Sequence, residues 1–334
     1  MEPTIWDGIS EALAQLQLST HGTLPVRDWI NSFVREWLVP NFRPAFRAMQ
    51  WPVQQVLDGL EAFLQAIPFV VFTLALSAVA WLVSGRGVAL FTLAALVAID
   101  LIGVWPETMT TLAMILTAVF FCAVVGIPVG VLAARSDVFA AVLRPILDIM
   151  QTIPPFVYLV PIVMLFGVGI VPGVIATIIF ALPPVVRLTN LGIRQVPSEM
   201  VEAGYAFGAR PLQVLWDIQL PLALRTIMAG LNQTLMLALS MVVIAALIGA
   251  GGLGLTVFTG LGRLDIGGAT LGGLGIVLLA IVLDRITQGL GEGQYRGMRW
   301  SPVQAARRLL GLARPSETEP PPLAEPEAAR ESAR

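Results

Sequence analysis

Glu202, Ala203 and Gly204, then Gly208, then Ile218, Leu220 and Pro221 stand at fixed spacing in a short polar stretch between long apolar runs, closely preceded by Pro197-Ser198-Glu199. The chemistry on offer is recognition. A chain that is otherwise hydrophobic has little reason to carry a compact, helix-capable polar segment unless something on the water side docks there. Ser198 is placed as the N-cap of a short helix, and Glu199 and Glu202 as the negative charges its dipole favours in the first turn. Ala203, Ala206 and Ala209 keep one side small, so a partner can approach closely. Gly208 and Pro211 should end the helix, and Pro221 should mark re-entry into the next apolar run. The competing reading is a solvated amphipathic connector with no partner.

A second set of polar residues lies inside apolar runs, where lipid offers no partners. Asp148, Gln151 and Thr152 precede Pro154-Pro155, and Asn232, Gln233 and Thr234 follow the polar stretch. Both sets should face protein or a water-filled path, because a proline-broken helix frees carbonyls that only a cavity tolerates. Hydrogen bonding between helices is the alternative for each residue. Asn232, Gln233 and Thr234 are consecutive, so at about 100° per residue they cover more than half of a helix circumference, and at least one should be structural. Asp284-Arg285 reads as a boundary pair.

The elements that must carry these residues follow from composition. The chain has 334 residues, 56% hydrophobic and 13% charged, with a mean hydropathy of +0.81. That is the balance of an all-α polytopic membrane protein. Apolar runs predict about seven transmembrane helices, near 67–83, 88–105, 108–134, 146–166, 171–186, 224–248 and 266–283. Arg86, Arg135, Arg144, Arg187, Arg194, Arg210, Arg285, Arg296, Arg299, Arg307 and Arg308 fall on one side of such an arrangement, and Arg263 on the other. The positive-inside rule then puts the Glu202 loop and the C-terminus in the cytoplasm and the N-terminus outside. A segment at 1–66 precedes the spans, without a signal-peptide pattern. Within it, Val26, Trp29, Ile30, Phe33, Val34, Trp37 and Leu38 form a helical stripe for the membrane interface, and Val53, Val56, Leu57, Leu60, Phe63, Leu64 and Ile67 form a second. Trp6, Trp29, Trp37 and Trp51 read as interface anchors rather than an aromatic cage for a cation. Residues 67–300 make the membrane domain, with its polar loop at about 195–222, and 301–334 has the composition of a disordered tail.

Several functions are excluded or unsupported. All 20 basic residues are Arg, so no Walker A lysine exists, and a net charge of -2 argues against a nucleic-acid partner. Gly249-Ala250-Gly251-Gly252-Leu253-Gly254 matches G-x-G-x-x-G but follows a membrane helix; its glycines should serve a tight turn or close packing. Cys122 has no partner for a disulfide, and the lone His21 has no Cys/His cluster around it, so no metal site is expected.

The spacing Glu202-Ala203-Gly204, Gly208, Ile218, Leu220, Pro221 resembles the EAA loop of permease subunits of ATP-binding-cassette (ABC) importers, E-A-A-x3-G-x9-I-x-L-P, with Gly204 replacing the second Ala. Met150–Pro161, Phe180–Thr189 and Gly230–Ala245 resemble permeases of the glycine betaine/proline betaine family, and the likeness is strong from about Trp105 to Gln288. It implies a type I importer fold with a cytoplasmic coupling helix in that loop. It also implies two permease copies, two ATPase subunits that use ATP and Mg, an external substrate-binding protein, a bacterial inner-membrane location, and no cofactor bound by this chain. Gln151, Thr152, Pro154, Pro155, Tyr158, Asn232, Gln233 and Thr234 become candidates to line the translocation path. Other cargoes (choline, carnitine, proline, histidine) and an ATPase-independent transporter or channel are the alternatives.

Overall fold

The computed structural model describes residues 26–293, and all regular structure among them is helical. His21, Trp6 and the tail at 301–334, with Arg296, Arg299, Arg307 and Arg308, lie outside the described residues. Helix α1 (Val26–Ser32) runs through a π-helical stretch, Phe33–Leu38, into α2 (Val39–Ala66). The first aromatic stripe is exposed at Trp29, Phe33 and Trp37. The second stripe does more than precede a span: Val53, Leu57 and Leu64 are buried in the main core. Pro68 follows, and the chain bends by 106° into α3 (Phe69–Ser84). Gly85 at φ 97° links α3 to α4 (Arg86–Leu101), a turn an L side chain would strain.

Helix α5 (Trp105–Arg135) leads to α6 (Asp137–Thr152), a 3-10 turn at Pro155–Tyr158, and α7 (Leu159–Phe166). Then come α8 (Ile170–Arg194), α9 (Ser198–Ala206) and α10 (Leu220–Ala245), the last entered through Pro211–Gln213 and a π-helical stretch, Val214–Gln219. After Gly249 and Gly251 stand α11 (Gly252–Gly262) and α12 (Ile266–Gly293).

Glycines decide how closely the central helices pack. A Cβ at Gly126 or Gly130 of α5 would lie 2.4 Å from Val185 Cγ1 or 2.5 Å from Thr189 Cβ of α8, and one at Gly230 of α10 would lie 3.0 Å from Leu188 Cβ. The three helices therefore approach at backbone range, as small residues allow between membrane helices. Helix α8 sits at the centre of this set, and Val174, Ala176, Ala181 and Val185 are fully buried. Large apolar side chains such as Val70, Leu90, Val124 and Leu101 remain exposed. For a chain whose solvent is hydrocarbon, that outer surface needs no polar cover.

The expected count of seven spans is not reproduced by length. Among the described residues four helices are long and apolar enough to cross a membrane: Trp105–Arg135, Ile170–Arg194, Pro211–Ile248 and Ile266–Gly291. Counting each bent pair, Pro44–Ala66 with Phe69–Ser84 and Asp137–Thr152 with Pro155–Phe166, gives up to six. The run near 88–105 is a helix of 16 residues, about 24 Å at 1.5 Å per residue, short of a hydrocarbon core of about 30 Å. The run near 146–166 is broken at Pro154 and bent by 105°. Hydrophobicity reports where chain prefers lipid, and backbone breaks decide how much of a run is straight. The run near 171–186 errs the other way: α8 passes through Pro183-Pro184 and continues to Arg194.

Candidate functional site: the polar loop and the broken span

Helix α9 begins one residue earlier than its capping signal implies. Pro197, not Ser198, is the N-cap residue, and its carbonyl accepts from Met200 N–H at 3.1 Å; Ser198 is already helical, and no side chain caps this end. Glu199 lies in the first turn, whereas Glu202 stands in the second, beyond the strongest part of the dipole. The helix ends in a Schellman arrangement. Gly208 N–H donates to Tyr205 O at 2.9 Å and Ala209 N–H to Gly204 O at 3.1 Å, with Gly208 at φ 81°. Gly208 is thus required by the backbone of the loop, whatever touches it from outside.

The two sides of α9 differ. Gly204 is buried, and a Cβ there would lie 2.6 Å from Ile218 Cδ1 and 3.4 Å from Val214 Cγ2. The departure from the alanine of the motif therefore seats α9 directly on the stretch that carries Ile218. Glu202, Ala203 and Ala206 face outward, and the apolar side chains of Met200, Tyr205 and Phe207 are exposed, Phe207 at 94%. Leu220 and Pro221 open α10, with Pro221 in its first turn. Arg135 Nη2 donates to Pro211 O at 2.9 Å, Arg194 Nη2 donates to Ala133 O at 2.8 Å, and Arg194 pairs with Asp137 at 2.7 Å. The first bond ties the loop to the end of α5 and the other two tie α8 to the ends of α5 and α6, so Arg135 and Arg194, two of the basic residues expected on one side, stand at one end of the helices.

The broken span carries the second group. Ile153 and Pro154 are extended, α6 stops there, and Tyr158 O–H bridges the break by donating to Met150 O. The Tyr158 ring also meets Phe180 of α8 edge-on, with centroids 6.0 Å apart. Thr152 Oγ1 turns back to Ile149 O at 3.1 Å. Gln151 and Asp148 both accept from Arg187 of α8, the second at 2.5 Å. A cleft of about 410 Å³ opens beside them, lined from α6 by Leu143, Leu147 and Asp148 and from α8 by Arg187 and Leu191.

The three consecutive residues of α10 point three ways. Asn232 Nδ2 donates to Asp284 Oδ1 of α12 at 3.3 Å, and its Oδ1 accepts from Thr287 Oγ1 at 2.5 Å. Thr234 is fully buried and its hydroxyl has no partner among the described residues, while Gln233 is exposed. Asp284, read as a boundary group, instead binds Asn232, and both its carboxylate oxygens accept from Gln288 at 2.6 Å.

A family model described as the inner membrane component of binding-protein-dependent transport systems matches residues 126–295, the region that holds both the loop and the broken span. The chain belongs to that family. This permease is 54% identical over 281 residues to the glycine betaine/proline betaine transport system permease protein ProW of Escherichia coli, covering 84% of this chain and 79% of that protein. It is 45% identical over 267 residues to the glycine betaine transport system permease protein OpuAB of Bacillus subtilis, covering 80% and 94%. Among solved structures it is similar to a chain of the inward-facing MetNI methionine ABC transporter, at 26% identity and a TM-score of 0.47, covering 65% of this chain and 97% of that one. The permease is thus a multi-pass inner-membrane subunit of the type I ABC importer kind. One site residue escapes a reading of the sequence for path-lining groups. Arg187 stands out there only as a topology marker, although a charge inside the run Val185-Val186-Arg187-Leu188 already marks a residue that needs a partner.

Proposed function

We propose that this permease translocates glycine betaine, proline betaine or a related quaternary ammonium osmoprotectant across the inner membrane. It would work as a pair of copies with two cytoplasmic ATPases and an external substrate-binding protein. What carries the reading is identity of 54% and 45% to permeases named for that cargo, over four-fifths of the chain. The loop supplies the coupling element. Glu202, Ala203 and Ala206 with exposed Phe207 form a short helix that an ATPase groove can hold, and Gly204 and Ile218 join that helix to α10. ATP binding closes the ATPases, the seated helices follow, and the permease halves rock so that the path faces outward. The binding protein then delivers its ligand, and hydrolysis resets the path. The chain itself makes and breaks no covalent bond; ATP and Mg belong to the partner ATPase.

In this arrangement the loop and the C-terminus lie in the cytoplasm, and the segment at 1–66 lies outside or at the interface. The test is uptake of labelled solutes by the complete complex in proteoliposomes. ATP-driven uptake of glycine betaine is expected, and a complex that takes up only solutes without a quaternary ammonium group would refute the cargo.

A further inference from the structure

The cleft between α6 and α8 presents the Asp148–Arg187 pair to open space, with Arg144 and Arg194 also on its lining. Arg187 directs Nη2 to Asp148 and Nη1 to Gln151, and the Arg187 and Asp148 side chains remain 39% and 66% exposed. We infer that the Asp148–Arg187 pair is a binding site for the zwitterionic cargo: its carboxylate takes the guanidinium, and its methylated ammonium group faces the released Asp148 carboxylate. This rests on the cargo reading above and extends it to a place inside the permease.

Several features support the exchange. The guanidinium already offers two N–H groups side by side to two oxygen acceptors, and a carboxylate accepts from that planar fork in the same way. A half-exposed ion pair contributes little to stability, so parting it to admit a ligand costs little. The charges are selective. A zwitterion satisfies both members of the pair, whereas a simple cation such as choline leaves Arg187 without its carboxylate and meets Arg144 and Arg194 on the same lining. A quaternary ammonium has no N–H to satisfy, so the carboxylate field and the apolar walls of Leu143, Leu147 and Leu191 suffice for it. The cleft of about 410 Å³ is roomy for a solute of this size. Arg187 precedes Arg194, at the loop end of α8, by seven residues, or about 10 Å of helix. The site therefore lies toward the end from which cargo leaves.

The experiment uses the permease–ATPase complex in nanodiscs without the binding protein, whose own selectivity would mask the site. Cys122 is the chain's only cysteine and is buried, so a Leu191→Cys variant reports the cleft with low background. Millimolar glycine betaine should slow its reaction with a small polar thiol reagent several-fold, and the same concentration of choline should slow it much less. Adding Arg187→Gln should remove the difference between the two solutes, and Arg187→Lys should keep part of it. If Arg187→Gln does not insert, Asp148→Asn carries the same comparison. Absence of reaction at Leu191→Cys, no protection by glycine betaine, or equal protection in Arg187→Gln and its parent overturns the site. Parallel uptake by the complete complex separates the two claims: glycine betaine uptake without protection removes this site alone, and no uptake of any zwitterion removes the cargo reading with it.

Discussion

Gly208 serves the backbone of its loop, where the sequence placed the end of the helix. Its φ of 81° closes α9 directly after the exposed Phe207. An L side chain in that region costs about 1–2 kcal/mol, and Asn tolerates it better than other non-glycine residues. Gly208→Ala should therefore distort the loop and lower ATP-driven uptake, while Gly208→Asn should retain more of it; equal losses, read from uptake and ATPase rate in the same vesicles, would show that loop conformation is not the cause. A large residue such as Trp at 208 confounds conformation with docking. The residues Asn232 and Thr234 make a cleaner contrast. Asn232→Leu removes the bonds to Asp284 and Thr287, which keep Gln288 and the Leu283 carbonyl as partners, an effect of about 0.5–1.5 kcal/mol per lost bond. It should lower the thermal unfolding temperature of the purified permease. Thr234→Val removes a buried hydroxyl that bonds nothing, so it should leave stability unchanged or raise it. The same measurement decides both.

At the scale of elements, α8 is held at backbone range by α5 and α10, and glycine position rather than hydrophobicity sets that closeness. A methyl at Gly130 would come within 2.8 Å of Val186 O and 2.5 Å of Thr189 Cβ, neither of which can swing away. Gly130→Ala should destabilise by about 1–3 kcal/mol, the range for overpacking a tight contact. At Gly59, in α2, an added methyl would meet nothing within 4 Å among the described residues. Gly59→Ala should stabilise by about 0.5–1 kcal/mol from helix propensity alone. Thermal melts of the two variants should move in opposite directions. A fall in both would mean that α2 is covered at Gly59.

At the scale of the whole molecule, the prediction is topological. The basic residues Arg135 and Arg194 gather with the Glu202 loop at one end of the helices, and the positive-inside rule assigns that end to the cytoplasm. A reporter active only in the cytoplasm should be silent when fused before Trp51 and active when fused after Arg314. Activity at both ends would mean an even number of crossings. Six crossings is a number the helices themselves permit when both bent pairs count, so the fusion discriminates between arrangements that length alone leaves open.

Composition and periodicity were enough to establish helices in a membrane, a short polar helix between long apolar ones, and the second stripe, in α2, because each rests on a local pattern. The loop spacing also located Gly208 at the end of α9 and Pro221 at the start of α10, since glycine and proline act on the backbone where they stand. Four things were settled only by tertiary structure. Pro197 displaced Ser198 as the cap, which depends on how the chain leaves α8. Arg187 found Asp148 and Gln151, 39 and 36 residues away, and no periodicity within one helix reports a partner on another. Asn232, Gln233 and Thr234 separated into a bonded, an exposed and a buried residue because α12 covers one side of α10. Pro154-Pro155 already marked a break in one of the seven apolar runs, but only the structure gave the 105° of its bend. Sequence specifies which surfaces prefer lipid or water; packing decides which polar groups meet, because a partner is a property of two elements at once.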